Sequence, residues 1–179
     1  MKRLETERLT LREFRIEDID DFYDYAKLET VGPNAGWLPH PNKEHSVKIL
    51  EMFIKNDEVW AIELKSENKV IGSIGLHHRS LLDYGMIYEV GYVLSTKYEK
   101  QGFMSEALKR VLDFCFDEMG LSKLFVGHFL ENKKSERLIK KFPFKYLKDM
   151  DYESRDYGLI VSKIYMMKKN EYINWRKVI

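Results

Sequence analysis

One cysteine, four prolines and no long apolar run are what this chain of 179 residues has little of, and each shortage excludes something. A lone Cys115 cannot close an intrachain disulfide. Its place on the apolar face of a predicted helix marks a buried, inert thiol rather than a nucleophile, which fits a reducing cytoplasm. No window approaches the roughly 20 apolar residues that span a bilayer. The opening MKRLETERLTLREF is charged throughout and lacks the apolar stretch of a signal peptide. A cytoplasmic location and no membrane partner are expected. An excess of one charge sign is missing too: 30 basic against 29 acidic residues leave a net charge of +1, so no global field draws the protein to nucleic acid. There are no repeats, low-complexity tracts or linkers at which to divide the chain. With 44% hydrophobic and 13% aromatic residues it has the means to bury a core, and residues 1–179 are expected to form a single domain.

Three of the four prolines gather in VGPNAGWLPHPN, Val31 to Asn42, which reads as a structured loop. Before it, alternation around Leu9 and Leu11 predicts a strand over Leu4 to Phe14 with Arg8 and Arg12 on its polar side. Asp18 to Leu28 carries Ile19, Phe22, Tyr23 and Ala26 at helical spacing. After the loop, Asn42 is placed to cap a helix over Lys43 to Asn56. Trp60 to Leu64 and Val70 to His77 form a predicted hairpin, in which Gly72 and Gly75 mark a bulge or the close approach of another backbone. Further strands are expected over Tyr88 to Leu94, Lys123 to Phe129, Tyr146 to Met150 and Ile160 to Lys168. Helices are expected over Met104 to Asp117 and Ser135 to Phe142, with a short terminal one capped by Asn170. The order is an α/β pattern with a mostly antiparallel front half and a β-α-β crossover in the middle.

The stretch from Ile87 to Asp117 joins two chemical opportunities. Its strand carries a single residue that is ionised at neutral pH, Glu89, among largely apolar neighbours. Facing a cleft, that carboxylate would lose solvation and become a stronger base toward an ammonium; facing out, it would be an ordinary surface glutamate. The loop STKYEKQGF then opens a helix, where unpaired backbone N–H groups and the positive end of the dipole suit an anion. A pyrophosphate there would be held by backbone N–H groups of Gln101, Gly102, Phe103, Met104 and Ser105, with the Ser105 hydroxyl, while Lys97 and Lys100 screen its charge. The loop is neither a P-loop nor a dinucleotide fingerprint, whose glycines it lacks.

Four segments together resemble the GNAT superfamily of N-acetyltransferases, most closely its ribosomal-protein N-terminal acetyltransferases of the RimJ/RimL type. They are LETERLTLREF (Leu4 to Phe14), EVGYVL (Glu89 to Leu94), YEKQGFMSEAL (Tyr98 to Leu108) and ENKKSERLIKKFPF (Glu131 to Phe144). Against the family turn [QR]-x-x-G-x-[GA], Glu99 and Met104 depart and Gly102 is retained; Pro143 replaces a usual glycine. The resemblance implies a mixed α/β sheet of about seven strands, splayed in the middle and flanked by helices, and acetyl-CoA as cosubstrate. Its pantetheine arm would lie along the backbone of Tyr92, Val93 and Leu94. Glu89 would act as general base, a backbone N–H of its strand would stabilise the tetrahedral oxyanion, and Ser135 would act as general acid. Asn132 would hold the pantetheine or a water, although N-x-x-S ahead of a helical run is also a capping pattern.

On the acceptor side the resemblance points to Trp37 and His40, with Tyr84 across from them, although packing explains Trp37 equally well. His40, His77 and His78 show no metal-ligand spacing, and no metal is implied. The expected activity is direct acetyl transfer to an amine. A protein N-terminus is the first choice by resemblance; a polyamine, amino acid or antibiotic is the alternative, and a noncatalytic acyl-CoA-binding module stands in a different class. Such folds commonly form homodimers.

Overall fold

Local preferences of residues 1–178 resolve into eight strands and five helices in a computed structural model. The strands are β1 (Leu4–Glu5), β2 (Leu9–Glu13), β3 (Val59–Leu64), β4 (Lys69–Leu81), β5 (Gly85–Leu94), β6 (Lys123–Phe129), β7 (Lys145–Ser154) and β8 (Gly158–Lys168). The helices are α1 (Ile19–Ala26), α2 (Lys43–Asn56), α3 (Phe103–Asp113), α4 (Lys133–Ile139) and α5 (Lys169–Arg176). Hydrogen-bonded neighbours run β1-β2-β3-β4-β5-β6-β8-β7, a mixed sheet of the expected α/β class. Among the described residues no helix is long and apolar enough to cross a membrane.

Two compact units divide the chain. The first comprises Met1–Gly75 and Tyr92–Val111. In it β1, β2, β3 and the start of β4 pair antiparallel. The predicted single strand over Leu4 to Phe14 is split, because the chain turns at Thr6, whose N–H donates to Leu9 O at 3.0 Å. That split makes eight strands out of about seven. Phe14, Phe22, Tyr25 and Leu50 form the core, with the Phe22 ring edge-on to those of Phe14 and Tyr25. Asn42 caps α2 as expected, its Oδ1 accepting from His45 N–H at 2.9 Å. Arg12, expected on a polar face, is instead buried. Its two Nη groups donate to the two Asp18 carboxylate oxygens at 2.8 Å each, and its Nε donates to Glu63 at 2.5 Å. A charge out of water requires such partners, and here the fork geometry is fully used. A side chain at Gly72 would collide with the Val93 carbonyl, so this glycine marks a close backbone approach.

The second unit comprises Leu76–Gly91 and the chain from Leu112 on. β6 pairs antiparallel with β8 along its whole length, Lys123↔Lys168 to Phe129↔Ser162, and β8 pairs with β7. Its contact with β5 is different: parallel, and confined to Glu89↔Phe125 and Val90↔Val126. Leu81, Ile87, Phe125 and Ile164 pack together on one face. The predicted central helix widens into a π-helical turn over Phe114–Glu118, where Cys115 is buried and its thiol pKa pushed up to about 12 by desolvation. Asn170 does not cap α5. The helix begins two residues earlier than that role requires, and Glu171 accepts the Lys168 N–H at 2.8 Å instead.

Candidate active site

Strand periodicity decides the orientation of Glu89. Ile87 and Glu89 share a face of β5, and Ile87 is buried against Phe125 and Ile164, so Glu89 is carried inward with it. Its side chain is only 15% exposed. The neighbouring strand makes room: a methyl group on Gly127 would lie 3.1 Å from Glu89 Oε1, and equally near Ser162 Oγ and Ile164 Cδ1. The carboxylate thus rests over a position of β6 that has no side chain. Arg79 of β4 reaches it, Nε lying 3.0 Å from Oε2, and the guanidinium lies over the Tyr152 ring at 5.5 Å from its centroid. Tyr152 in turn packs against Phe129, with ring centroids 5.5 Å apart. Burial pushes the Glu89 pKa above the usual carboxylate range, and the positive charge of Arg79 opposes the shift without cancelling it.

The rest of this unit's candidate residues sit nearby in the chain order. Tyr84, in the turn between β4 and β5, packs edge-on against Phe125 at 5.3 Å, with Lys123 Nζ over its ring at 4.9 Å. Asn132 is the N-cap of α4: its Oδ1 accepts from Ser135 N–H at 3.0 Å. The N-x-x-S spacing therefore has a structural role, with asparagine rather than serine as the cap. Ser135 itself is buried in the first turn of α4. His77 has its ring against Gly91 and His78 stacks on Tyr88.

In the first unit the turn ahead of α3 has the shape of an anion cradle. Lys100 and Gly102 take positive φ values of 62° and 85°, and α3 starts at once with Phe103. Left-handed residues leading into a helix turn successive N–H groups to one side, which is the geometry of an anion-binding nest. Lys97, Lys100, Gln101 and Gly102 are exposed there, Ser105 is partly so, and Phe103 and Met104 point into the core. Met104 departs from the family pattern because its side chain is used for packing, which leaves its backbone in the first turn.

A feature that no motif signals braces this turn. Arg8 donates through Nη1 to Gln101 O at 3.0 Å and through Nε to Glu106 Oε2 at 2.7 Å, with its guanidinium 4.4 Å from the centre of the Phe103 ring. Glu106 also accepts from Thr6 Oγ1 at 2.6 Å and Arg8 N–H at 2.9 Å. Burial works against its ionisation, but these donors and the Arg8 charge together hold its pKa below the usual range. Tyr92, Val93 and Leu94 form the end of β5, where Val93 packs on the first unit's core. Trp37 and His40 belong to this unit as well. Trp37 packs against Gly32 and the His40 ring, and His40 is buried with Nδ1 2.7 Å from Ser46 Oγ.

Residues 8–145 match the acetyltransferase (GNAT) domain family. The chain belongs to that family. It is 28% identical over 147 residues to the uncharacterized N-acetyltransferase YoaA of Bacillus subtilis, covering 79% of this chain and 82% of the relative. To YnaD of the same organism, also an uncharacterized N-acetyltransferase, it is 30% identical over 139 residues, 76% and 78% of the two chains. The crystal structure of a GNAT-family acetyltransferase from Bacillus anthracis superposes with a TM-score of 0.81 at 21% identity, over 94% of this chain and 99% of that one. That of the ribosomal-protein-S5-alanine acetyltransferase from Vibrio fischeri gives 0.71 at 17% identity, over 96% and 99%. These two share the fold. The protein is thus a GNAT N-acetyltransferase, and GNAT domains use acetyl-CoA as cosubstrate with an amine as acceptor.

Within the GNAT domain, Tyr84, Glu89, Asn132 and Ser135 fall in the second unit, and Trp37, His40 and the cradle in the first. Arg79, Gly127 and Tyr152 escaped the sequence reading, and Arg8 was read only as a polar-face residue of the first strand. Each matters through a contact with a residue distant in the chain, which no local pattern announces.

Proposed function

We propose that this chain moves the acetyl group of acetyl-CoA directly to a primary amine, with Glu89 as general base. One observation supports this above the rest: the middle of β5 carries a carboxylate inward, 15% exposed, whose pKa burial has raised. An amine attacks a thioester only when neutral. Reference pKa values are about 10.4 for a lysine side chain and about 7.7 to 8.0 for an α-amino group, and each pKa unit is about 1.36 kcal/mol. Neutralising an α-amino group is therefore easier by about 3 to 4 kcal/mol. With a carboxylate as base, the acceptor best suited is of the α-amino kind. A chain N-terminus has that advantage in full, and the Vibrio fischeri neighbour is named for an alanine of a ribosomal protein; a free amino acid offers an α-amino group too, made more basic by its own carboxylate.

In this reading the Glu89 carboxylate takes a proton from the acceptor ammonium, directly or through water. The amine nitrogen attacks the thioester carbonyl, a backbone N–H of β5 stabilises the oxyanion, and the C–S bond breaks on collapse. Ser135 supplies the proton to the CoA thiolate. The pyrophosphate is held by the backbone of Gln101 to Ser105 with Lys97 and Lys100. The pantetheine is held by Tyr92 to Leu94 and Asn132. Thermal shift with acetyl-CoA, CoA and ATP in parallel tests the cosubstrate. A ligand at a hundred times its dissociation constant adds about 2.7 kcal/mol of stability. Shifts with both CoA forms and none with ATP are expected, and Glu89→Gln should lose turnover of acceptor amines while keeping the acetyl-CoA shift. No shift with millimolar acetyl-CoA would overturn the reading.

A further inference from the structure

The Arg79–Glu89 pair leaves part of each partner unused. Arg79 spends Nε on Glu89 and lays its flat face on Tyr152. The Arg79 side chain is 37% exposed, so solvent and ligands reach the guanidinium. Glu89 approaches Arg79 most closely through Oε2, while Oε1 rests over Gly127. A cationic fork and an anionic oxygen are therefore presented side by side, with Tyr152 and Phe129 as an aromatic wall.

We infer that the acceptor is an amine carrying its own carboxylate on the same residue, as a free α-amino acid does, with its ammonium on Glu89 and its carboxylate on the Nη edge of Arg79. This rests on the acetyl-transfer reading above and narrows its acceptor. The complementarity is that of two contact ion pairs laid head to tail. In an α-amino acid the nitrogen and the carboxyl group leave one carbon, so their charges are as close as those of Arg79 and Glu89. The planar guanidinium edge matches a carboxylate with two parallel hydrogen bonds, which an amide oxygen cannot reproduce in charge or geometry. A peptide N-terminus, whose carboxyl is an amide, leaves that edge unanswered. A polyamine brings a second ammonium toward Arg79 and is repelled.

The test is release of CoA by the purified full chain from acetyl-CoA, with the twenty L-amino acids, their amides and a dipeptide as acceptors. A hydrogen bond to a charged group is worth about 1.5 to 3 kcal/mol, so the best amino acid should have a KM about tenfold to hundredfold below that of its amide. Arg79→Gln should remove that preference through KM, compared at a pH above the acidic limb of both proteins where Glu89 is ionised in each, and Arg79→Lys should restore part of it. Equal use of acids, amides and the dipeptide by the wild type would overturn the inference and leave acetyl transfer standing. So would an Arg79→Gln variant that loses both classes alike, which would make Arg79 a support for Glu89 only. Calorimetric binding of acetyl-CoA without acetylation of any amine would overturn both.

Discussion

Arg79 Nε stands 3.0 Å from Glu89 Oε2, and this contact couples the strongest candidate base to a cation on the neighbouring strand. Desolvation raises the Glu89 pKa, and Arg79 restrains the rise. The carboxylate must be ionised to act as a base, so activity falls as pH drops through its pKa.

With an amine lacking a carboxylate as acceptor, the acidic limb of kcat/KM should lie above the ordinary glutamate range of about 4.3. Arg79→Gln removes the opposing charge and should move the limb to still higher pH. A limb within the ordinary range, or one retained in Glu89→Gln, would take the base role from Glu89.

Gly127→Ala should impair turnover more than it impairs folding. The added methyl meets Glu89 Oε1, Ser162 Oγ and Ile164 Cδ1, each at 3.1 Å, and the carboxylate is the freest of the three to move. Overpacking of this kind costs about 1 to 3 kcal/mol, and kcat should drop about tenfold or more. Parallel measurement of Tm and kcat checks it; an unchanged kcat would show that the seat of the carboxylate over β6 is of no consequence.

Gly102→Val should weaken acetyl-CoA binding and spare the thermal stability of the second unit's core. At φ 85° a β-branched residue is strained by about 1 to 2 kcal/mol, and its side chain would stand beside the backbone N–H groups of the cradle. Calorimetric titration with CoA reads the loss directly.

Glu106 has the opposite titration sign to Glu89. Its folded pKa is lowered, so it contributes stability that is present above the ordinary glutamate pKa and is lost as pH falls through the lowered folded value. Acid unfolding of the wild type should therefore be steeper than that of Glu106→Gln in the window below about pH 4.3. Coincident acid transitions would show that the brace carries no stability.

Asp18→Asn leaves the Arg12 guanidinium buried without its main counterion. Loss of one partner of such a pair costs about 3 to 5 kcal/mol, which a shifted urea midpoint would reveal. A shift equivalent to less than about 1 kcal/mol would mean that Glu63 alone suffices.

Where one element's own residues decide its form, the sequence was legible. Helix α2 and its Asn42 cap, and strand β6, stand where periodicity and capping chemistry put them. Glu89 could be named but not oriented, because a period of two is silent on which face meets the core until Ile87 is seen against Phe125 and Ile164. Arg12 looked solvent-facing because its partners, Asp18 and Glu63, come from a turn and from another strand. Arg79 and Tyr152 lie 73 positions apart in the chain, and nothing local to either announces that one will rest on the other. The N-x-x-S segment was readable as a cap, yet which of the two residues capped depended on where α4 began.

The bonds from Arg8 to Glu106 span 98 residues, which sets a timetable for the nascent chain. A ribosome adding about 5 to 20 residues per second needs roughly 5 to 20 seconds to deliver the glutamate after the arginine. Through that interval the N-terminal segment emerges without the carboxylate it will clasp. The turn ahead of α3 is thus braced only after the first 106 of 179 residues have been made, ahead of β6, β7 and β8.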